Sequence, residues 1–164
     1  MRTKLPITII ILALFSGLNS QAQDAVKKFG KIRSKKEMTN LISTSLPTLD
    51  DCNAIFKTKE DAEKYFSYSE ESKSKIAAEL AKPDDEKFED INFETFTTED
   101  ISANKGNYAG GMSSLNGKIK PEIVFYKVEL LREVGATTGV GYKYWVFVNN
   151  KWVFLPKPWS AFRS

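Results

Sequence analysis

Histidine is absent from this chain, and cysteine occurs once, as Cys52. Without histidine there is no His–Ser or His–Cys nucleophile pair and no imidazole ligand for zinc. The residue whose unperturbed charge changes near neutral pH is missing as well. One cysteine cannot close an intramolecular disulfide, so the fold must rest on its core. An excess of charge is also lacking, with 24 Lys and Arg against 21 Asp and Glu. Such a balance gives no broad attraction to nucleic acid or to an anionic membrane, and neither is expected as a partner. Gly-x-Gly-x-x-Gly and Walker patterns do not occur, which removes the usual phosphate cradles. No cofactor and no metal are expected.

The N-terminus carries the most specific pattern. Arg2 and Lys4 form a short basic region, and Ile7 to Leu14 is apolar apart from Thr8. Gly17, Asn19 and Ser20 are expected to interrupt any helix there. Ser20-Gln21-Ala22 places small residues at the −3 and −1 positions of a cut after Ala22. This is the layout of a cleaved secretory signal peptide over residues 1–22, with an uncleaved N-terminal anchor as the rival reading. Its apolar run is shorter than the ~20 residues of a membrane-spanning helix, and no later segment reaches that length. Cys52 lies far from the cut and is no lipid-bearing first residue. Cleavage removes two basic residues and leaves 22 against 21 acidic ones. The expected organisation is a signal peptide at 1–22, a flexible lead-in at 23–33 and one domain over 34–164, periplasmic or secreted.

Within that domain the first half reads as helices and the second as strands. Ser34-x-x-Glu37, Thr48-x-x-Asp51 and Thr58-x-x-Asp61 each match a capping box, where a hydroxyl and an acid satisfy free helix N–H groups reciprocally. The stripes Met38/Leu41/Ile42, Leu49/Cys52/Ile55/Phe56 and Ala62/Tyr65/Phe66 follow helical spacing. A fourth helix is expected over 72–81, with Ile76, Ala77 and Leu80 inward, stopped by Pro83. The acidic turn at 83–86 divides the halves. Strands are expected over 89–97, 122–131, 140–148 and 152–155, with a tight Asn149-Asn150 turn, since asparagine tolerates positive φ. The glycine-rich stretch 104–117 is irregular, with room for a helical turn near 111–115. The fold class is therefore α+β: N-terminal helices packed on a curved, four-stranded antiparallel sheet.

The strands offer the candidate binding surface. Alternation places Tyr142, Tyr144, Val146 and Val148 on one face, and Trp145 and Phe147 on the other. A strand apolar on both faces is covered on both sides or lines a cavity. Helices cover one face; curvature, the 104–117 loop, a second copy or a ligand must close the other. Tyr126, Tyr142, Tyr144, Trp145 and Trp152 are the candidate ligand-binding residues, because aromatic rings pair an apolar face with a polar handle. A small molecule, a glycan or a protein would suit them, and a homodimer is the other reading. Trp159 and Phe162 are candidates to pin the C-terminus. Among carboxylates, Glu94, Glu122 and Glu129 could supply a glycosidase pair, but spacing selects no two of them. The acids at 84–90 lack the spacing of a calcium loop and read as a solvated turn. Cys52, on an apolar stripe, reads as a small buried hydrophobe.

Residues 123–128, 142–147 and 148–159, ending in Pro156-Lys157-Pro158-Trp159, resemble small exported bacterial proteins of unknown function that close on an aromatic hairpin. Residues 47–56 resemble a helix opening in the same proteins. The order of helices followed by a curved sheet resembles the cystatin-like or NTF2-like α+β roll, which implies a pocket between sheet and helices. Enzymes on that roll commonly use Asp or His, and no histidine or Asp dyad is present. The expected function is an exported, non-catalytic binding module. A self-associating envelope protein and a hydrolase of envelope polymers are the alternatives.

Overall fold

The computed structural model describes residues 16–82 and 86–163. The apolar run 7–14 and the turn residues 83–85 lie outside them. The described residues fall into two compact units, divided between Lys31 and Ile32. In the first, helix α1 spans Ser16–Phe29, with Lys27 and Lys28 in its last turn, where the helix dipole favours cations. It runs on through Gly17, Asn19 and Ser20 and covers residues 23–29 of the stretch expected as a flexible lead-in. Those residues weaken a helix by propensity only and do not forbid it.

The second unit is α+β, with four helices and a four-stranded antiparallel sheet in the order β1-β2-β3-β4. The helices are α2 (Lys35–Ser43), α3 (Leu49–Ile55), α4 (Lys59–Leu80) and α5 (Thr98–Ser102). The strands are β1 (Asp90–Thr97), β2 (Val124–Leu131), β3 (Val140–Val148) and β4 (Lys151–Phe154). All three expected capping residues sit where the spacing puts them. Thr48 and Asp51 complete a reciprocal box, while Glu37 turns back to the N–H of Arg33 at 2.7 Å, one residue before the Ser34 cap. The third and fourth expected helices are one. Residues 67–74 are polar, but they contain no glycine or proline to interrupt α4. Its buried residues, Ala62, Tyr65 and Ser69, all lie in the first half. Beyond them α4 is tied to α2 by Lys35 and Glu79 at 2.5 Å. Lys35 and Lys82 hold the Glu79 carboxyl down to about 2. Helix α5 has no counterpart among the expected elements. A full Thr97–Asp100 box starts it, a signal hidden at the end of a strand.

Register defines two sheet faces. Phe96, Phe125, Tyr144, Val146, Val153 and Leu155 face the main core, with Cys52, Ile55, Phe56, Tyr65, Met112 and Leu115 from the helices and the glycine-rich stretch. That stretch forms a 3-10 turn, Gly110–Leu115, on this helical side of the sheet. Ile91, Val128, Leu130, Trp145, Trp152 and Phe154 belong to the opposite face and are buried too. The alternation in β3 breaks at one point. Tyr126 pairs with Trp145 and Lys127 pairs with Lys143, so Tyr144 is an extra residue, a β-bulge. Tyr142, expected beside Tyr144, therefore lies on the opposite face, and Lys143 joins the helical face. Strict period-two counting cannot detect an inserted residue.

Helix α3 and the β3–β4 hairpin meet at Asp51, whose side chain is 1% exposed. One oxygen accepts from Thr48 N–H at 2.9 Å and Oγ1 at 2.7 Å, and lies 2.8 Å from Lys151 Nζ. The other accepts from Asn149 Nδ2 at 3.0 Å. Asn149 and Asn150 have φ of 50° and 59°, the left-handed pair of a tight hairpin turn. Burial pushes the Asp51 carboxyl up, but Lys151, Thr48 and Asn149 together outweigh it and hold the carboxyl below its usual range. Asp51→Ala is expected to cost about 2–4 kcal/mol, the loss of a cap and of charge-assisted hydrogen bonds. With a depressed folded pKa, this contribution is present above the unfolded value of about 3.9 and disappears as pH falls through the folded one. Urea unfolding between neutral pH and pH 3 should show the acid loss in the parent chain and a smaller one in Asp51→Ala.

Candidate functional site

The helical face of the sheet changes character along its strands. At one end it is aromatic and sealed: Phe96 stacks on Phe125 at 5.2 Å and meets the edge of Tyr144 at 5.4 Å. Towards the other end the same face carries Glu94 on β1, Lys127 and Glu129 on β2, and Lys143 on β3. Lys127 is 6% exposed, and its Nζ lies 2.7 Å from Glu94 Oε2 and 3.3 Å from Glu129 Oε1. Glu129 Oε1 is 3.9 Å from Lys143 Nζ. At the β1 side, Asn107 Nδ2 donates to both Glu94 oxygens, at 3.2 and 3.0 Å. A chain of charges thus crosses three strands, nearly buried at Lys127 and Glu129 and half-exposed at Glu94 and Lys143.

Each member is held by backbone geometry. Glu94 and Lys127 are directly opposed in the antiparallel ladder, where oppositely charged side chains attract. Lys127 and Glu129 are two residues apart and share a face. Lys143 is brought over by the bulge at Tyr144. Gly141 leaves room for it: a Cβ there would lie 2.8 Å from Lys143 Cε. Burial by itself would lower the pKa of Lys127, but Glu94 and Glu129 overcome that and raise it. The ammonium therefore stays charged at neutral pH and is no nucleophile. The Tyr144 hydroxyl closes the aromatic end by accepting from Ala109 N–H at 2.9 Å.

The aromatics that mark the strands in the sequence are divided between the two faces. Tyr144 belongs to the helical face; Tyr126, Tyr142, Trp145 and Trp152 belong to the other. Tyr126, Tyr144, Trp145 and Trp152 are at most 3% exposed, and Tyr142 is half-buried. Tyr126 packs edge-on against Trp152 at 4.8 Å, and burial lifts its hydroxyl to about 12. Of the three glutamates that could form a pair, Glu94 and Glu129 come together on Lys127, whereas Glu122 lies apart, its N–H donating to Glu99. Cys52 is fully buried; burial, then the charge of Asp51, lifts its thiol to about 12, far from a reactive thiolate. Lys127, Lys143 and Asn107 escape a reading of the sequence. The one signal they leave is Lys127 and Glu129 on a strand otherwise apolar on both faces.

Among the described residues, no cluster of three His, Cys, Asp or Glu side chains could hold a metal ion, and no helix is long and apolar enough to cross a membrane. No protein-family model, curated protein or solved structure matches the chain.

Lys127→Met strands two carboxylates, one of them nearly buried, and is expected to cost about 3–5 kcal/mol. Adding Glu94→Gln and Glu129→Gln should recover most of that loss in urea unfolding. The raised pKa of Lys127 makes its contribution complete below about 10.4 and lost as pH climbs through the higher folded value. The triple variant should lack this alkaline loss.

Proposed function

We propose that the chain is an exported, non-catalytic interaction module that recognises a polar ligand, a glycan or a peptide, at the charged end of its helical sheet face. The observation that carries this reading is the engagement of Lys127 with both carboxylates. A general acid requires a carboxyl that keeps its proton near neutral pH, and a general base or nucleophile one free to react. Here Glu94 and Glu129 are both engaged by one ammonium, at 2.7 and 3.3 Å. The half-exposed ends, Glu94 with Asn107 and Lys143, offer an acceptor and a donor on rigid strands. Fixed polar groups of this kind lower the ordering cost of binding. Binding at the buried aromatic set, Tyr126, Tyr142, Tyr144, Trp145 and Trp152, is the second placement and requires their cover to move.

Thermal-shift screening of the purified chain against soluble glycans and peptides tests the module. A binder is expected to lose about tenfold in affinity, roughly one charge-assisted hydrogen bond, in Glu94→Gln or Lys143→Ala with the fold intact. Unchanged affinity in both variants moves the site elsewhere.

Hydrolysis is the alternative reading, because Glu94 and Glu129 do converge on one group. It requires turnover of an envelope polymer that survives purification and disappears in Glu129→Gln. Export is tested by intact mass: expression with the native N-terminus in a bacterial host should yield an exported form beginning at Gln23. A chain that stays in the cytoplasm with residues 1–22 attached overturns that part.

A further inference from the structure

At the charged end of the helical face, two groups keep hydrogen-bonding capacity that the fold does not use. Glu94 is filled: its oxygens accept from Lys127 Nζ at 2.7 Å and from Asn107 Nδ2 at 3.0 and 3.2 Å. Lys127 is held between Glu94 and Glu129. Lys143 is placed differently. Its nearest carboxylate oxygen, Glu129 Oε1, lies 3.9 Å away, beyond hydrogen-bond reach. That oxygen is also the one that faces Lys127, at 3.3 Å. Among the described residues, neither the Lys143 ammonium nor Glu129 Oε2 has a hydrogen-bond partner. The two side chains are 38% and 14% exposed.

The sheet leaves an opening at this pair. Glu129 faces Gly141 across the ladder, and the bulge at Tyr144 turns Lys143 to the same face. A Cβ at position 141 would stand 2.8 Å from Lys143 Cε, 3.5 Å from its Nζ and 3.7 Å from Glu129 Oε1. The missing side chain therefore leaves a notch bordered by the ammonium and the carboxylate, and Gly141 itself is exposed.

Charge restricts what fits there. Lys127 and Lys143 balance Glu94 and Glu129. An anion placed on Lys143 would come against Glu129, and a cation placed on Glu129 would come against Lys143. A neutral group must give the ammonium an acceptor and the carboxylate a donor, since the first only donates and the second only accepts. In a trans peptide unit the N–H and C=O point in opposite directions, so one unit cannot serve two groups side by side. Neighbouring hydroxyls on a sugar ring each carry a donor and acceptors, and lie side by side.

We propose that the notch between Lys143 and Glu129 recognises paired hydroxyls of a neutral glycan, and that Gly141 is the positioning residue that keeps it open. This rests on the binding-module reading above and narrows it to one class of ligand. One hydroxyl accepts from Lys143 Nζ, and its neighbour donates to Glu129 Oε2. Lys127 stays between its two glutamates throughout.

Calorimetric titration of the purified chain with maltotetraose, cellotetraose and mannotetraose tests this. At least one should bind, and its affinity should hold at high salt, because no net charge is paired. The same glycan, after periodate cleavage of its paired hydroxyls and borohydride reduction, should bind about tenfold more weakly, the loss of one charge-assisted hydrogen bond. Gly141→Ala should show an equal loss while keeping the parent's urea midpoint, since its Cβ displaces only the flexible end of Lys143. Lys143→Met should match it, and the double variant should lose no more than either alone, as expected of one shared interaction. If Gly141→Ala does not fold, Lys143→Met and the periodate comparison decide. An oligogalacturonate or an uncharged capped peptide that binds more tightly than every neutral glycan overturns the glycan assignment and leaves the module standing. Parent affinity in both Gly141→Ala and Lys143→Met overturns the notch. A chain that binds none of these glycans or peptides overturns the module as well.

Discussion

Asp51 is the buried charge on which the two layers of the domain agree. It completes the cap of α3 with Thr48 and receives Asn149 and Lys151 from the β3–β4 hairpin. A carboxylate taken out of water must be matched by donors of fixed geometry, so the group is tolerated only when helix start and hairpin turn are both in place. That makes it a device for orientation more than for net stability. The left-handed Asn149-Asn150 turn sets where the donors stand, and the capping box sets where the acceptor stands. Tyr144, Val146, Val153 and Leu155 then meet α3 and α4 in one position, and the apolar core can close around Cys52, Phe56 and Tyr65.

The bulge at Tyr144 has a comparable effect within the sheet. One unmatched residue moves Tyr142 to the opposite face and brings Lys143 beside Glu129. The helical face thereby acquires a second cation. It divides into a sealed aromatic end and a charged end whose outer members remain half-exposed. The glycine-rich stretch serves both ends: Ala109 and Asn107 contact Tyr144 and Glu94, and Gly111 makes room for Trp159. An irregular segment, packed beside an irregular strand, places Asn107 beside Glu94 and Lys143 beside Glu129.

Local signals account for most of the architecture that is legible in the sequence. Hydroxyl–acid pairs at a spacing of three locate the starts of α2, α3 and α4. Alternating apolar residues locate the strands, and Asn149-Asn150 locates the hairpin. These are interactions over a few residues, so they leave a pattern in neighbouring positions. The candidate site leaves almost none. Glu94 and Lys127 are 33 residues apart and meet only through cross-strand register. Asn107 reaches Glu94 from an irregular loop. Helix α5 begins on the last residue of β1, where strand alternation masks its cap. The break expected between two helices is absent, because weak propensity over residues 67–74 does not end a helix that lacks a proline or glycine.

The sequence by itself determined the class of fold, the starts of α2, α3 and α4, the hairpin and the exclusions that follow from having one cysteine and no histidine. Each depends on composition or on the short-range geometry of the backbone. Tertiary structure alone decided which carboxylates meet, which face each tyrosine joins and what the C-terminal rings rest upon. Those outcomes depend on strand register and on one inserted residue at Tyr144. Register is a relation between distant segments, set by the packing of the whole core, and no local stretch of the chain encodes it.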